Sequence, residues 1–342
     1  MSITSFPAVT LVSAAWIALS GLAAQPVGAQ GVEDFEDWQV DEIRSLVETV
    51  TAARMGERAD DVSGFEIVPS YMRGVEGNTY TPFTLVIDST VITGPSIATY
   101  LAVTPVGAQP SGDGELPMAL FEDVFYSTVS TVSGEEIHIA RALQAPGGEY
   151  DVYVALLNSE GGVEAEGIGS EPTILLKTER LTIPDFWNDE LETSTIFLVE
   201  NIEPLTEAPT QEEMILFPYT IASARIAPKF DSNYSAGSTL RFVFQIYNAG
   251  HTAGMPNVQV TYDFYQIGTG GEEFFNRTPP QDLNSETLPA VFNLTEGFQL
   301  PAGQQIPLGS FPAGDYRLEM TVIDNEASTE ITKDLLFTVE GN

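Results

Sequence analysis

Seventeen residues near the C-terminus, PAGDYRLEMTVIDNEAS (Pro312–Ser328), restate a phrase written 166 positions earlier, PGGEYDVYVALLNSEGG (Pro146–Gly162). The two align without a gap: Pro146 meets Pro312, Gly148 meets Gly314, Tyr150 meets Tyr316, and Asn158 meets Asp324. After each tyrosine every second residue is apolar. These are Val152, Val154 and Leu156 in the first copy, and Leu318, Met320 and Val322 in the second. Asp151, Arg317 and Glu319 take alternate positions. Successive side chains of a β-strand point to opposite faces, so each copy describes a strand with one face in a core. A chain that writes such a strand twice, a domain's length apart, is constrained to two similar β domains.

The remaining sequence carries the same period. From Gly64, strand-like runs cover Phe65–Tyr71, Thr79–Asp88, Ile97–Val106, Met118–Thr131, Glu136–Leu143, Tyr150–Asn158, Thr173–Ile183 and Thr195–Ile202. A second series reads Tyr219–Ile226, Thr239–Tyr247, Val258–Gln266, Ile306–Phe311, Tyr316–Ile323 and Ile331–Val339, with an irregular stretch over 270–297. Many short strands separated by Gly- and Pro-rich turns predict an all-β sandwich. Before them, VEDFEDWQVDEIRSLVETVTAARMGE (Val32–Glu57) repeats its apolar residues every three or four positions, as an amphipathic helix does. Acids crowd its first turns, where a helix favours negative charge. The polar, proline-containing EPLTEAPTQEEM marks a linker. The expected organisation is a signal peptide (1–29), a helical segment (32–60), a first sandwich (64–206), a linker (207–217) and a second sandwich (218–342).

The spacing Pro-x-x-x-Tyr at the head of each repeated strand resembles the tyrosine corner of immunoglobulin-like and fibronectin type III sandwiches. There the tyrosine ring packs on the core and its hydroxyl bonds back to the preceding connection. The order of segments is also similar to exported bacterial proteins with tandem immunoglobulin-like domains. The resemblance implies a mainly β fold of two such domains in tandem behind one N-terminal helix. It implies no catalytic residues, because this fold carries many unrelated activities.

Composition narrows the setting. The first 32 residues hold no charged side chain, and Val9–Ala24 is an apolar run followed by Val27 and Ala29, the small-residue pattern of a signal-peptidase site. The run is short for a membrane span, which needs roughly 20 residues. The protein is therefore expected to be exported, to the periplasm, the cell surface or the medium, with no transmembrane segment in the mature chain. No cysteine is present, which excludes disulfides, thiol nucleophiles and iron–sulfur ligation. The net charge is −36, more than half of it over residues 61–210, where 24 acids face 4 bases. Such a field repels nucleic acid and anionic membranes and suits a salt-screened surface. The partners expected are a protein or a cell-surface polymer.

The catalytic signatures are missing. There is no HExxH, nucleophile elbow, phosphate loop or dinucleotide fingerprint. Only His138 and His251 are available to a triad or a zinc site. His138 alternates with Ile137 and Ile139 as a strand-surface residue, and His251 lies in a glycine-rich turn. Carboxylate pairs for glycoside hydrolysis carry no signal among 49 acids. No cofactor is expected. If a cation binds, calcium fits best, at Asp185, Asn188, Asp189, Glu190 and Glu192, because it needs only oxygen ligands. Asn233, Asn276 and Asn293 stand in N-x-[ST] sequons, relevant only to a glycosylating secretory pathway. Two aromatic pairs on loops, Phe186 with Trp187 and Phe274 with Phe275, are the candidate ligand-binding residues. The functional expectation is a non-catalytic exported structural or interaction protein. The alternatives are a glycan- or peptide-binding sandwich using those aromatics, and a secretion- or surface-sorting module.

Overall fold

The computed structural model describes residues 35–60, 64–92, 94–109, 116–129, 136–159, 174–207, 209–210, 213–214, 217–221 and 224–341. The expected signal peptide, residues 1–29, lies outside them. The chain is mainly β and divides between Asp185 and Phe186 into two compact units.

The N-terminal unit opens with α1 (Asp37–Arg54). This is shorter than the segment expected from residue 32 onward. The Glu36 N–H donates to Gln39 Oε1 at 2.9 Å and fixes the start. Gly56, at φ 75°, turns the chain away after the last helical residues. Eight strands follow among the described residues: β1 (Phe65–Pro69), β2 (Met72–Arg73), β3 (Asn78–Asp88), β4 (Ser96–Pro105), β5 (Phe121–Thr128), β6 (Glu136–Pro146), β7 (Gly148–Ser159) and β8 (Ile174–Ile183). One sheet has β3 paired with β6 on one side and with β1 and β2 on the other; the second runs β5-β4-β7-β8. All these pairs are antiparallel. Between the sheets lie Phe83, Leu85, Ile87, Ile97, Val103 and Val154, among others. A separate cluster joins Leu46 and Val50 of α1 to Ala98, Ala102, Ala155 and Leu157. The helix thus covers the second face of the β4–β7 sheet.

The C-terminal unit contains β9 (Glu192–Thr193), β10 (Phe197–Pro204), β11 (Thr220–Ile221), β12 (Ala224–Pro228), β13 (Asn233–Ser235), β14 (Thr239–Tyr247), β15 (His251–Thr252), β16 (Met255–Pro256), β17 (Val258–Gly268), β18 (Gly271–Arg277), β19 (Gln281–Leu283), β20 (Leu300–Pro307), β21 (Gly314–Asp324) and β22 (Thr329–Glu340). One sheet runs β11-β12-β10-β14-β20, with β9 also on β14. The other runs β13-β22-β21-β17-β18, with β19 also on β17. Phe242, Phe244, Tyr262, Phe264, Leu318 and Phe337 fill the space between. Among the described residues only β13 pairs in parallel, along Asn233↔Thr338 to Ser235↔Glu340 of β22.

Three expectations are corrected here. The divide falls at Asp185 rather than near residue 206. Phe197 and Leu198 of β10 pair with Val243 and Phe242, and Thr193 with Ile246, so this segment completes the second sheet pair. The stretch 270–297 is not wholly irregular, since it holds β18 and β19. The strand before the second corner is Leu300–Pro307, not Ile306–Phe311. Gly303 explains part of its odd sequence: a Cβ there would sit 2.3 Å from the Phe242 carbonyl oxygen, so only glycine lets the β14 backbone approach.

The corner of each repeated phrase folds as the resemblance implied. Each begins where the chain leaves one sheet for the other, from β6 to β7 and from β20 to β21. The Tyr150 hydroxyl donates to the Pro146 carbonyl at 2.9 Å, and the Tyr316 hydroxyl to the Pro312 carbonyl at 2.7 Å. Both rings are buried, at 5% and 0% exposure. Tyr316 stacks on Phe337 at 5.3 Å and meets Phe311 and Phe275 edge-on. Gly314 stands at φ 148°, a backbone state that side chains disfavour.

Candidate binding surface

The sequence-predicted aromatics separate on folding. Phe186 is buried at 2% exposure and packs 4.9 Å from Tyr247. Trp187, its neighbour, is 45% exposed. Phe274 is 60% exposed, while Phe275 is partly buried against Phe311 (4.8 Å) and Tyr316 (5.5 Å). The β17–β18 ladder shifts register between Phe264 and Tyr265. Adjacent strand residues face opposite sides, so Phe275 turns into the core and Phe274 outward, and the bulge leaves Phe275 as the extra residue between the pairs Tyr265↔Phe274 and Phe264↔Asn276. Phe186 and Phe275 are therefore core residues, which removes them from a binding role. Trp187 and Phe274 remain on the surface.

The polar candidates resolve into local structure. His138 is exposed, with Nε2 3.2 Å from Glu136. His251 is exposed on the β15–β16 hairpin, and its Nδ1 accepts from the Gly254 N–H at 3.3 Å. Ala253 and Gly254 there have φ 53° and 84°, the pattern of a tight two-residue hairpin turn. In the acidic turn after β8, Asn188 Oδ1 accepts from the Glu190 N–H at 3.1 Å, and Asn248 Nδ2 donates to the Glu190 carbonyl at 2.8 Å. Glu192 pairs with Lys333 at 2.7 Å. Among the described residues no group of three or more His, Cys, Asp or Glu is placed to hold a metal ion. None of the described helices is long and apolar enough to cross a membrane.

The sequence reading missed a surface that the registers assemble. Residues directly opposite one another in a ladder share a face. Leu336 lies opposite Arg317, Arg317 opposite Tyr265, and Tyr265 opposite Phe274. One row thus crosses β22, β21, β17 and β18 on the outer face of the C-terminal unit's sheet. Leu336 and Phe274, at its ends, are 59% and 60% exposed, and Ile267 one row away is 36% exposed. Arg317 at the centre lies 4.5 Å over the Tyr265 ring. It donates to Glu272 at 2.9 Å, Glu319 at 2.8 Å and Asp334 at 2.6 Å. The Glu272 and Glu319 carboxylates, followed by Asp334, push its pKa above the ordinary arginine value. The adjacent row holds Arg277 against the buried Asp263. The signal was in the sequence, as Arg317 and Glu319 on the outward parity of β21, but their cross-strand partners are not readable from one strand.

No protein-family model matches the chain, and no curated protein matches it. Among solved structures, the chain is similar to trypsin-activated alpha-2-macroglobulin from Escherichia coli, at 11% identity and a TM-score of 0.23. That alignment covers 82% of this chain and 17% of the other, so the chain spans under a fifth of that protein's length. A likeness this loose carries no functional argument.

Proposed function

We propose that this is a non-catalytic exported protein in which two immunoglobulin-like sandwiches stand in tandem, the first with its own helix, and which works by binding a protein or cell-surface polymer. The observation that carries the reading is the pairing of identical corners with unlike outer faces. Both units cross between sheets at a proline-to-tyrosine corner held by the same hydrogen bond. The matching sheet is sealed by α1 in one unit and presents exposed apolar side chains in the other. A fold repeated for stability alone has no need of that difference. The separate, exposed positions of His138 and His251 fit the reading. A second reading, recognition of glycan or peptide through aromatics, retains Trp187 and Phe274, the two predicted rings that remain exposed.

The test is to produce the whole chain with a C-terminal tag in its source cells, fractionate, and cross-link before purification. Recovery outside the cytoplasmic membrane, with the N-terminus at Gln30 and a reproducible cross-linked partner, is the expected result. Cytoplasmic recovery with residues 1–29 intact, or a hydrolytic activity abolished by His251→Ala, would overturn the reading.

A further inference from the structure

We infer that the Leu336–Arg317–Tyr265–Phe274 row is a docking surface for a basic amphipathic helix of a protein partner; the inference rests on the interaction reading above and names the surface and the chemistry of what binds it. The form of the occupant follows from the N-terminal unit. There the same face of the matching sheet accepts α1, two to three rows along from the position that matches Arg317: Leu46 and Val50 of the helix lie on Ala98, Ala102, Ala155 and Leu157. Polar groups close the margin of that contact: the Tyr126 hydroxyl donates to Glu42 at 3.0 Å, and Arg58 donates to the Ile174 carbonyl at 2.9 Å. This face of a sheet of this strand order can thus seat a helix.

The chemistry of the occupant follows from charge. Glu272, Glu319 and Asp334 surround one guanidinium, three carboxylates to one cation, so the centre of the row keeps a negative balance. The chain as a whole carries −36, which disfavours a second copy of itself as the occupant. Lysine or arginine side chains on a partner meet that balance. The apolar ends supply the anchors. Strands lie about 4.8 Å apart, so Leu336 and Phe274 are separated by roughly 14 Å. On a helix that is about three turns. An apolar residue near each end of three turns, with basic residues between, matches the row. The platform is also held in place beforehand. Arg317 is fixed by its carboxylates and by Tyr265, and Tyr265 meets Phe274 edge-on at 5.9 Å. Little side-chain ordering remains to be done on binding.

The experiment uses the whole chain and three fluorescently labelled 18-residue probes. One is a Leu/Lys peptide with leucine on a single helical face, the second a scrambled Leu/Lys peptide of identical composition, and the third a Leu/Glu peptide of the first pattern. Anisotropy titrations are expected to show binding of the first probe at least ten-fold tighter than of the other two. The Phe274→Ser/Leu336→Ser double variant should lose at least ten-fold for the first probe while keeping the wild-type circular dichroism and unfolding midpoint. Equal binding of ordered and scrambled probes, or unchanged binding by the double variant, would mean attraction to the acidic surface at large and would overturn the inference. Cross-linking with the double variant separates the two levels of the argument. If it retains the wild-type partner, this face is not the docking surface although the interaction reading stands. If the wild-type chain itself yields no partner, the interaction reading fails first.

Discussion

The outer faces of the two corner-bearing sheets differ residue by residue at matched positions. With the 166-residue offset of the repeated phrase, Tyr153, Ala155 and Leu157 of β7 correspond to Glu319, Thr321 and Ile323 of β21. In the N-terminal unit Ala155 and Leu157 are at 0% and 1% exposure beneath α1. In the C-terminal unit Glu319 binds Arg317, Thr321 meets Thr332 at 3.2 Å, and Ile323 is partly exposed. The inward letters barely differ: Val152, Val154 and Leu156 against Leu318, Met320 and Val322, all at 2% exposure or less. The backbone and the core therefore do not dictate what covers the sheet. The outward residues alone decide whether a helix seals the face or water does.

The sharpest way to break the comparison is to place asparagine at one matched pair. Leu157→Asn should cost on the order of 3–5 kcal/mol, from lost burial, a cavity and an amide without partners beneath α1. Ile323→Asn should cost under about 1 kcal/mol, because the side chain already meets solvent. Urea unfolding followed by circular dichroism measures both. Equal losses would show that the two faces are equally closed.

The corners should behave alike where the faces do not. Tyr150→Phe and Tyr316→Phe each remove one hydrogen bond and keep the ring, so each should cost about 1 kcal/mol. Burial raises the pKa of both phenols above the usual tyrosine value. The folded state therefore holds these protons more tightly than the unfolded state does. Their contribution to stability is complete below about pH 10 and is lost as pH rises through the folded-state values. The double Phe variant should show a shallower alkaline fall in stability, measured by urea midpoints between pH 9 and 11. The smallest effect belongs to Phe274→Ser and Leu336→Ser. Each should move the unfolding free energy by no more than about 0.5 kcal/mol, since neither side chain is buried.

Much of this was legible in the sequence. Each corner is local: proline, tyrosine and the alternating strand lie within a dozen residues, so one stretch shows the whole device. The helix was visible from its apolar spacing. Its docking place was also written, in the unbroken apolar run Val152–Leu157, which marks a strand covered on both faces. What eluded the reading depends on pairing at long range. Strands β9 and β10 look like a continuation of the first series, and only their ladders with β14 assign them to the second unit. Strand β20 hides its alternating Leu300, Ala302 and Ile306 among glycine, glutamine and proline, because β14 needs a glycine at 303. The aromatic pair Phe274–Phe275 read as one platform on a loop, whereas both lie in β18, where strand alternation turns one ring in and the other out. The row through Arg317 draws one residue from each of four strands, and nothing in any single strand announces the other three.

The corner hydrogen bond has a consequence for how such a protein changes over generations. In β21 Tyr316 and Arg317 are adjacent, so burying the tyrosine under Pro312 obliges the arginine to face out. A one-residue slip would exchange every inward and outward letter at once. The corner thus works as a parity lock on the strand that follows it. Mutations at outward positions are free to drift and acquire new chemistry without being read by the core. Two copies of one phrase, locked in the same parity, carry in this chain a helix seat in one unit and an open charged face in the other.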